Sequence, residues 1–146
     1  MSVIKKSPLT EYLEKYETIY PGICIWWEEK VIPDQLSGIK IIYRFNKDFD
    51  VKGLGVFDLK QAKLCHLSLD LAVQGSGLGM TIMNLVKKEA EYYNMKEIGC
   101  HGPEILVDDF CRWSGALPKG TLHTFGRKDI KDIKMILPIW HSQQEK

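Results

Sequence analysis

The stretch "LAVQGSGLGMTIMNLVKKEAEYYN", residues 71–94, restricts the fold more than any other part of the chain. Glycines stand at every second position, Gly75, Gly77 and Gly79, between a strand-like run and an amphipathic helix. Leu78, Ile82, Leu85, Val86 and Ala90 recur at helical spacing and predict one buried face. Asn94 suits a left-handed stop. The first N–H groups of a helix have no intrahelical acceptor, and the helix dipole adds partial positive charge there. Glycines let the backbone approach a ligand closely and adopt positive φ at no steric cost. A strand feeding such a turn is therefore a candidate anion site, suited to phosphate. The same glycines also suit close packing, Gly75 most of all.

The flanking sequence sets the element order. "SPLTEYLEKYETIY" reads as a helix capped by Ser7, with Pro8 in its first turn and Leu9, Leu13, Tyr16 and Tyr20 as its apolar stripe. Pro21-Gly22 ends it. "ICIWWEEKVI" predicts a second short helix limited by Pro33, with "PDQLSG" as a loop. Three strand-like runs follow, over residues 39–46, 51–60 and 62–73, joined by short turns as in an antiparallel meander. In the third, Leu67, Leu69 and Leu71 alternate with His66, Ser68 and Asp70. After the glycine-led helix, "KEIGCHG" reads as a strand and "EILVDDFCRWSG" as a helix ended by Gly115. "GTLHTFG" and "IKMILPIW" read as a final strand pair. The order predicts a single mixed α/β domain over 1–146, its sheet largely antiparallel with one parallel step around the glycine-led helix.

Composition removes several function classes. The formal net charge is +1, so no global field draws the chain to nucleic acid or an anionic membrane. No apolar run approaches the ~18 residues of a membrane span. Lys5 and Lys6 have no apolar segment behind them, so a cytoplasmic protein without a signal peptide is expected. None of the four cysteines forms a CxxC pair. Cys65-His66 and Cys100-His101 point adjacent side chains to opposite faces of a strand and chelate poorly, so no metal is expected.

Known phosphate motifs narrow the reading. The turn ends Gly79-Met80-Thr81, without the lysine of a Walker A loop. "GSGLGM" is G-x-G-x-G rather than G-x-G-x-x-G, and meander strands precede it where a dinucleotide fold has a βαβ unit. "QGSGLG" fits Q/R-x-x-G-x-G/A, and so resembles the coenzyme A pyrophosphate loop of the GNAT acyltransferase superfamily. "KLCHLSLDLAVQGSGLGMTIMNLV" is similar to that family's fourth strand, turn and third helix. "EIGCHG" and "FCRWSGAL" resemble its fifth strand and fourth helix, and "YPGICIWWEEKVIP" its early helical segment in some small bacterial members. The likeness covers most of the chain from about Tyr20.

The resemblance implies a GNAT-like fold with a parallel split between the family's fourth and fifth strands, and acetyl-CoA as co-substrate in that split. It places the diphosphate on the backbone of Gln74, Gly75, Ser76, Gly77, Leu78, Gly79 and Met80, and the thioester against backbone groups near Leu69 and Leu71. The family's usual acid is a tyrosine four residues before the glycine that ends the fourth helix; here that position is Cys111, which suits either an acid or plain packing. For the base, the family's positions match Lys63 and Cys65. His66 has a suitable ordinary pKa, but strict alternation turns it away from that slot unless a bulge intervenes. Glu28 and Glu29 fall on the segment that lines the acceptor side, with Asp70 a further carboxylate. Trp26, Trp27, Tyr43 and Trp113 are candidates for the acceptor pocket or for the core.

The implied function is acetyl transfer from acetyl-CoA to a primary amine of a small molecule, peptide or protein, by direct attack, in a protein that pairs as a homodimer. A non-catalytic acyl-CoA-binding module is the alternative. An aminoacyl-tRNA-acetylating toxin is a third, against which the near-neutral charge argues.

Overall fold

The computed structural model describes residues 7–123 and 131–139. Residues 1–6, the end of the strand expected over 120–126, and Trp140 of the last strand lie outside them, wholly or in part. Ser7 caps α1 (Pro8–Tyr16) by accepting from Thr10 N–H at 3.1 Å. The apolar stripe predicts a helix to Tyr20, but the helix ends at Tyr16. Glu17 instead turns to the next segment, accepting from Gly22 N–H at 2.6 Å and Cys24 N–H at 3.1 Å. Those donors hold its carboxyl below the ordinary range.

The next segment comprises α2 (Ile23–Trp26), a π-helical turn (Trp27–Val31) and α3 (Ile32–Leu36). The loop expected from Pro33 is thus helical to Leu36. The π turn is the reason. It resets the hydrogen-bond register, with Ile32 N–H bonded to Trp27 C=O. Pro33, which has no N–H to give, then falls in the first turn of α3, where none is needed.

The sheet contains β1 (Lys40–Lys47), β2 (Asp50–Asp58), β3 (Lys63–Leu69), β4 (Glu97–Pro103), β5 (Leu117–His123) and β6 (Lys131–Pro138), in the order β1-β2-β3-β4-β6-β5. Every neighbouring pair is antiparallel except β3 and β4. The crossover between those two carries α4 (Leu78–Tyr92); α5 (Glu104–Ser114) follows β4 and closes on Gly115 at φ 85°. This is the mixed α/β order predicted from the sequence.

Two apolar cores meet at β2. Val51, Leu54 and Val56 pack with Tyr12, Leu13, Ile23, Trp27 and Val31. Phe57 joins Ile82, Met83 and Val86 of α4, with Ile98 and Leu137 beyond. The glycines of "VKGLGVF" let α4 sit close: an added Cβ would come to 2.9 Å from Leu78 Cδ2 at Gly53, and to 2.9 Å from Ile82 Cγ2 at Gly55. Buried Lys40 pairs with Asp58 at 3.3 Å and with Asp34, tying α3 to the sheet. Trp27 is therefore core, and Tyr43 and Trp113 pack against the α4 side. Of the four aromatic pocket candidates, only Trp26 reaches the cleft described next.

Candidate functional site

β3 and β4 are paired only at their start, Lys63 opposite Gly99, with Gly99 N–H bonded to Ala62 C=O at 2.8 Å. Beyond that point they part. The gap is a cleft of about 580 Å³, walled by β3 from Lys63 to Leu67 and by β4 from Cys100 to Pro103. Tyr20, Ile23 and Trp26 close it on one side, Leu106, Val107 and Phe110 of α5 on the other.

The glycine-rich turn sits between the end of β3 and α4. β3 stops at Leu69, and Asp70 caps a short 3₁₀ turn (Leu71–Val73) by accepting from Ala72 N–H at 2.9 Å. The alternation expected through residue 73 therefore breaks at Asp70, and Leu71 is 84% exposed, off the strand. Gly75 (φ 82°) and Gly77 (φ 89°) are left-handed and face open space. The N–H groups of Gln74 and Ser76 are used internally, bonded to Leu71 C=O at 3.4 Å and Val73 C=O at 3.2 Å. The expectation of seven outward amides is corrected accordingly. Those of Gly75, Gly77, Leu78, Gly79 and Met80 find no acceptor among the described residues. The Gln74 side chain donates to Leu69 C=O at 3.2 Å and so braces the turn against β3. Gly79 packs at the helix start, where an added Cβ would come to 3.3 Å from Trp113 Cη2.

Register explains which backbone groups of β3 face the opening. Asp70 N–H bonds Lys52 C=O, and Ser68 and His66 pair with Leu54 and Val56. By antiparallel alternation, the backbone of Leu67 and Leu69 turns away from β2 toward the split. The Leu69 carbonyl accepts from Tyr16 Oη at 2.7 Å and from the Gln74 side chain at 3.2 Å.

A bulge decides which residue shares a face with His66. Val56 pairs with His66 but Phe57 with Leu64, so Cys65 is the extra residue. Cys65 and His66 consequently both lie on the α1 side, and both line the cleft. Strict alternation would separate them; the bulge overturns that reading. Around His66 stand the rings of Tyr16, Tyr20 and Trp26, at centroid distances of 6.4, 6.0 and 6.3 Å. Its Nε2 lies 2.7 Å from Ser68 Oγ, which lies 2.8 Å from Tyr12 Oη. Burial drives its pKa down to about 4, so the ring is neutral at pH 7. The same desolvation raises the Tyr12 phenol and the Cys65 thiol.

Other expected groups are not brought in. Glu28 and Glu29 are exposed and absent from the cleft wall, because burial of Trp27 and Val31 turns the intervening residues outward. The wall from this region is apolar instead. Cys111 points at the sheet, its Sγ 3.6 Å from Met135 Sδ, and desolvation raises its thiol pKa. It packs, and does not line the cleft. Among the described residues no three His, Cys, Asp or Glu side chains converge as a metal site requires. None of their helices is long and apolar enough to cross a membrane.

One pair was not foreseen. His101 Nδ1 lies 3.1 Å from Asp132 Oδ2, and both residues line the cleft. The sequence signal was the Cys100-His101 dipeptide, read only as a poor chelator. Asp132 lies 31 residues on and arrives through the β4–β6 register, which no local pattern specifies.

No protein-family model matches the sequence, and no curated protein matches it either. Solved structures do match in fold. One assigned to the GNAT acetyltransferase family, from Desulfovibrio desulfuricans, superposes with a TM-score of 0.72 at 15% identity over 95% of this chain and 96% of that one. Ard1 from Thermoplasma volcanium gives 0.69 at 13% identity, covering 96% and 98%. A GNAT family acetyltransferase from Elizabethkingia anophelis, solved with acetyl-CoA bound, gives 0.58 at 11%, covering 76% and 84%. The chain has the GNAT fold.

Proposed function

We propose that this protein is a member of the GNAT superfamily that transfers an acetyl group from acetyl-CoA to a primary amine. One observation carries the reading. Five amides that find no acceptor among the described residues stand between the end of β3 and the first turn of α4, following the strand that parts from β4 beyond Lys63 and Gly99. The residues present fit the co-substrate: two left-handed glycines face open space, and the start of α4 adds its dipole to the amides. Gly75, Gly77, Leu78, Gly79 and Met80 would hold the diphosphate through backbone N–H groups. Leu67 and Leu69 offer backbone groups along the open edge of β3, where an N–H can stabilise charge developing on a carbonyl oxygen. When bound, acetyl-CoA supplies an activated acyl group.

The chain's own residues then orient and desolvate the acceptor. The cleft wall is mainly apolar and aromatic. Much of the rate would come from holding two reactants together. The departing thiol takes its proton without help from Cys111.

Thermal unfolding with acetyl-CoA tests this directly. Micromolar acetyl-CoA should raise Tm, and 3′-phospho-adenosine diphosphate should retain part of the effect while pantetheine loses it. No shift at millimolar acetyl-CoA would end the proposal. The inward orientation of Cys111, at the position where the resemblance implies a tyrosine acid, favours a second reading as a non-catalytic acyl-CoA-binding module. Thiol release with any member of an amine and peptide panel would remove that reading.

A further inference from the structure

The cleft contains a charge arrangement that the resemblance did not supply. Asp132, on β6, is almost fully buried, with a side chain 10% exposed. A buried carboxylate is costly without a partner. Its partner is His101 on β4, whose side chain is 34% exposed and faces the cleft. The contact uses Nδ1. An Nδ1–H donated to the carboxylate fixes the tautomer in which Nε2 carries a lone pair. Asp132 also gives a cationic imidazolium a fixed counter-charge. The other titratable groups on the cleft wall are Lys63, Cys65 and His66 from β3, Cys100 from β4 and Tyr20 from the α1–α2 connection. The thiols are pushed up by burial, and His66 already has Nε2 on Ser68.

We propose that His101, oriented by Asp132, is the catalytic base that takes the proton from the acceptor's ammonium. This rests on the N-acetyl transfer reading above. The balance is complete. One proton passes from R–NH₃⁺ to His101 Nε2 and on to solvent. The freed nitrogen forms a C–N bond to the acyl carbon as the C–S bond breaks. The second nitrogen proton, lost as the amide forms, ends on the coenzyme A thiolate. A base placed this way contributes about 10²- to 10⁴-fold.

Two probe amines separate a base from a structural pair. Butylamine is protonated at pH 7 and needs a base; aniline is not protonated and does not. His101→Gln should reduce acetylation of butylamine at least ~100-fold and that of aniline less than ~3-fold. The butylamine rate of the variant should then rise with pH as free amine accumulates. Asp132→Asn, which spoils the tautomer but keeps the shape, should show the same selective loss in smaller measure. Acetyl-CoA-induced thermal shifts on all three proteins control for folding and binding. Equal losses with both amines, or binding without turnover of either amine by the parent protein, would refute the base while leaving the binding reading intact. Absence of any acetyl-CoA shift in the parent protein would sink that reading, and the base with it.

Discussion

Replacing Gly77 by aspartate and, in parallel, by asparagine isolates the electrostatic part of diphosphate binding. The two side chains have nearly the same shape. At φ 89° both are strained, and both enter open space, with no heavy atom within 4 Å of an added Cβ. The shared strain is about 1 kcal/mol, which lowers Tm by roughly 3 °C for a domain of this size. Gly77 is the N-cap of α4 and its Cβ position is open, so Gly77→Asp leaves α4 folded at the cost of that strain. Its charge, however, stands about 5 Å from where a diphosphate would meet the amides. At an effective dielectric of ~40, the two negative charges of a diphosphate at that distance cost about 3 kcal/mol. Screening at ~0.1 M salt reduces this to about 2 kcal/mol, or roughly 30-fold in Kd. Calorimetric titration with acetyl-CoA should therefore show Gly77→Asn within a few-fold of the parent and Gly77→Asp about 30-fold weaker again. The gap should widen as salt is lowered. Equal affinities for the two folded variants, at any salt, would show that the diphosphate does not lie on these amides.

Two further outcomes are expected. His66 has its pKa lowered from 6.5 to about 4, so the unfolded chain binds that proton more readily. Its contribution to stability is complete above pH 6.5 and is lost as pH falls toward 4, by about 3 kcal/mol. Urea melts at pH 7 and pH 4.5 should show a smaller acid-induced loss for His66→Gln than for the parent; parallel losses would mean that the ring is solvated. Cys111→Ala removes a thiol that touches Met135 and should cost about 1 kcal/mol of stability while leaving turnover and its pH profile unchanged. The paired Glu28→Gln and Glu29→Gln changes, at exposed positions, should leave both stability and turnover unchanged. A tenfold loss of rate in either would restore a chemical role to those side chains.

Much of the fold was legible because its signals are local. Ser7-Pro8 announces α1, the spacing of Ile82, Val86 and Ala90 announces α4, and Gly115 announces the end of α5. The glycine-rich turn also declared itself, since positive φ at Gly75 and Gly77 is a property of the residue type. Local patterns misled where hydrogen bonding shifted register. The π turn carried a helix through Pro33, and Asp70 ended β3 before Leu71.

Side-chain partnerships across the sheet lay outside what the sequence determines. A single extra residue at Cys65 brought that side chain onto the face of His66, which it shares with Tyr12, Tyr16 and Ser68. Only strand pairing brought Asp132 to His101. The sequence by itself determined the element order and the glycine-rich turn, because propensity, capping and glycine conformation act within a few residues. The tertiary structure alone decided which groups share the cleft. Bulges and strand register are set by how the packed layers fit, and a shift of one residue reverses the face each side chain meets.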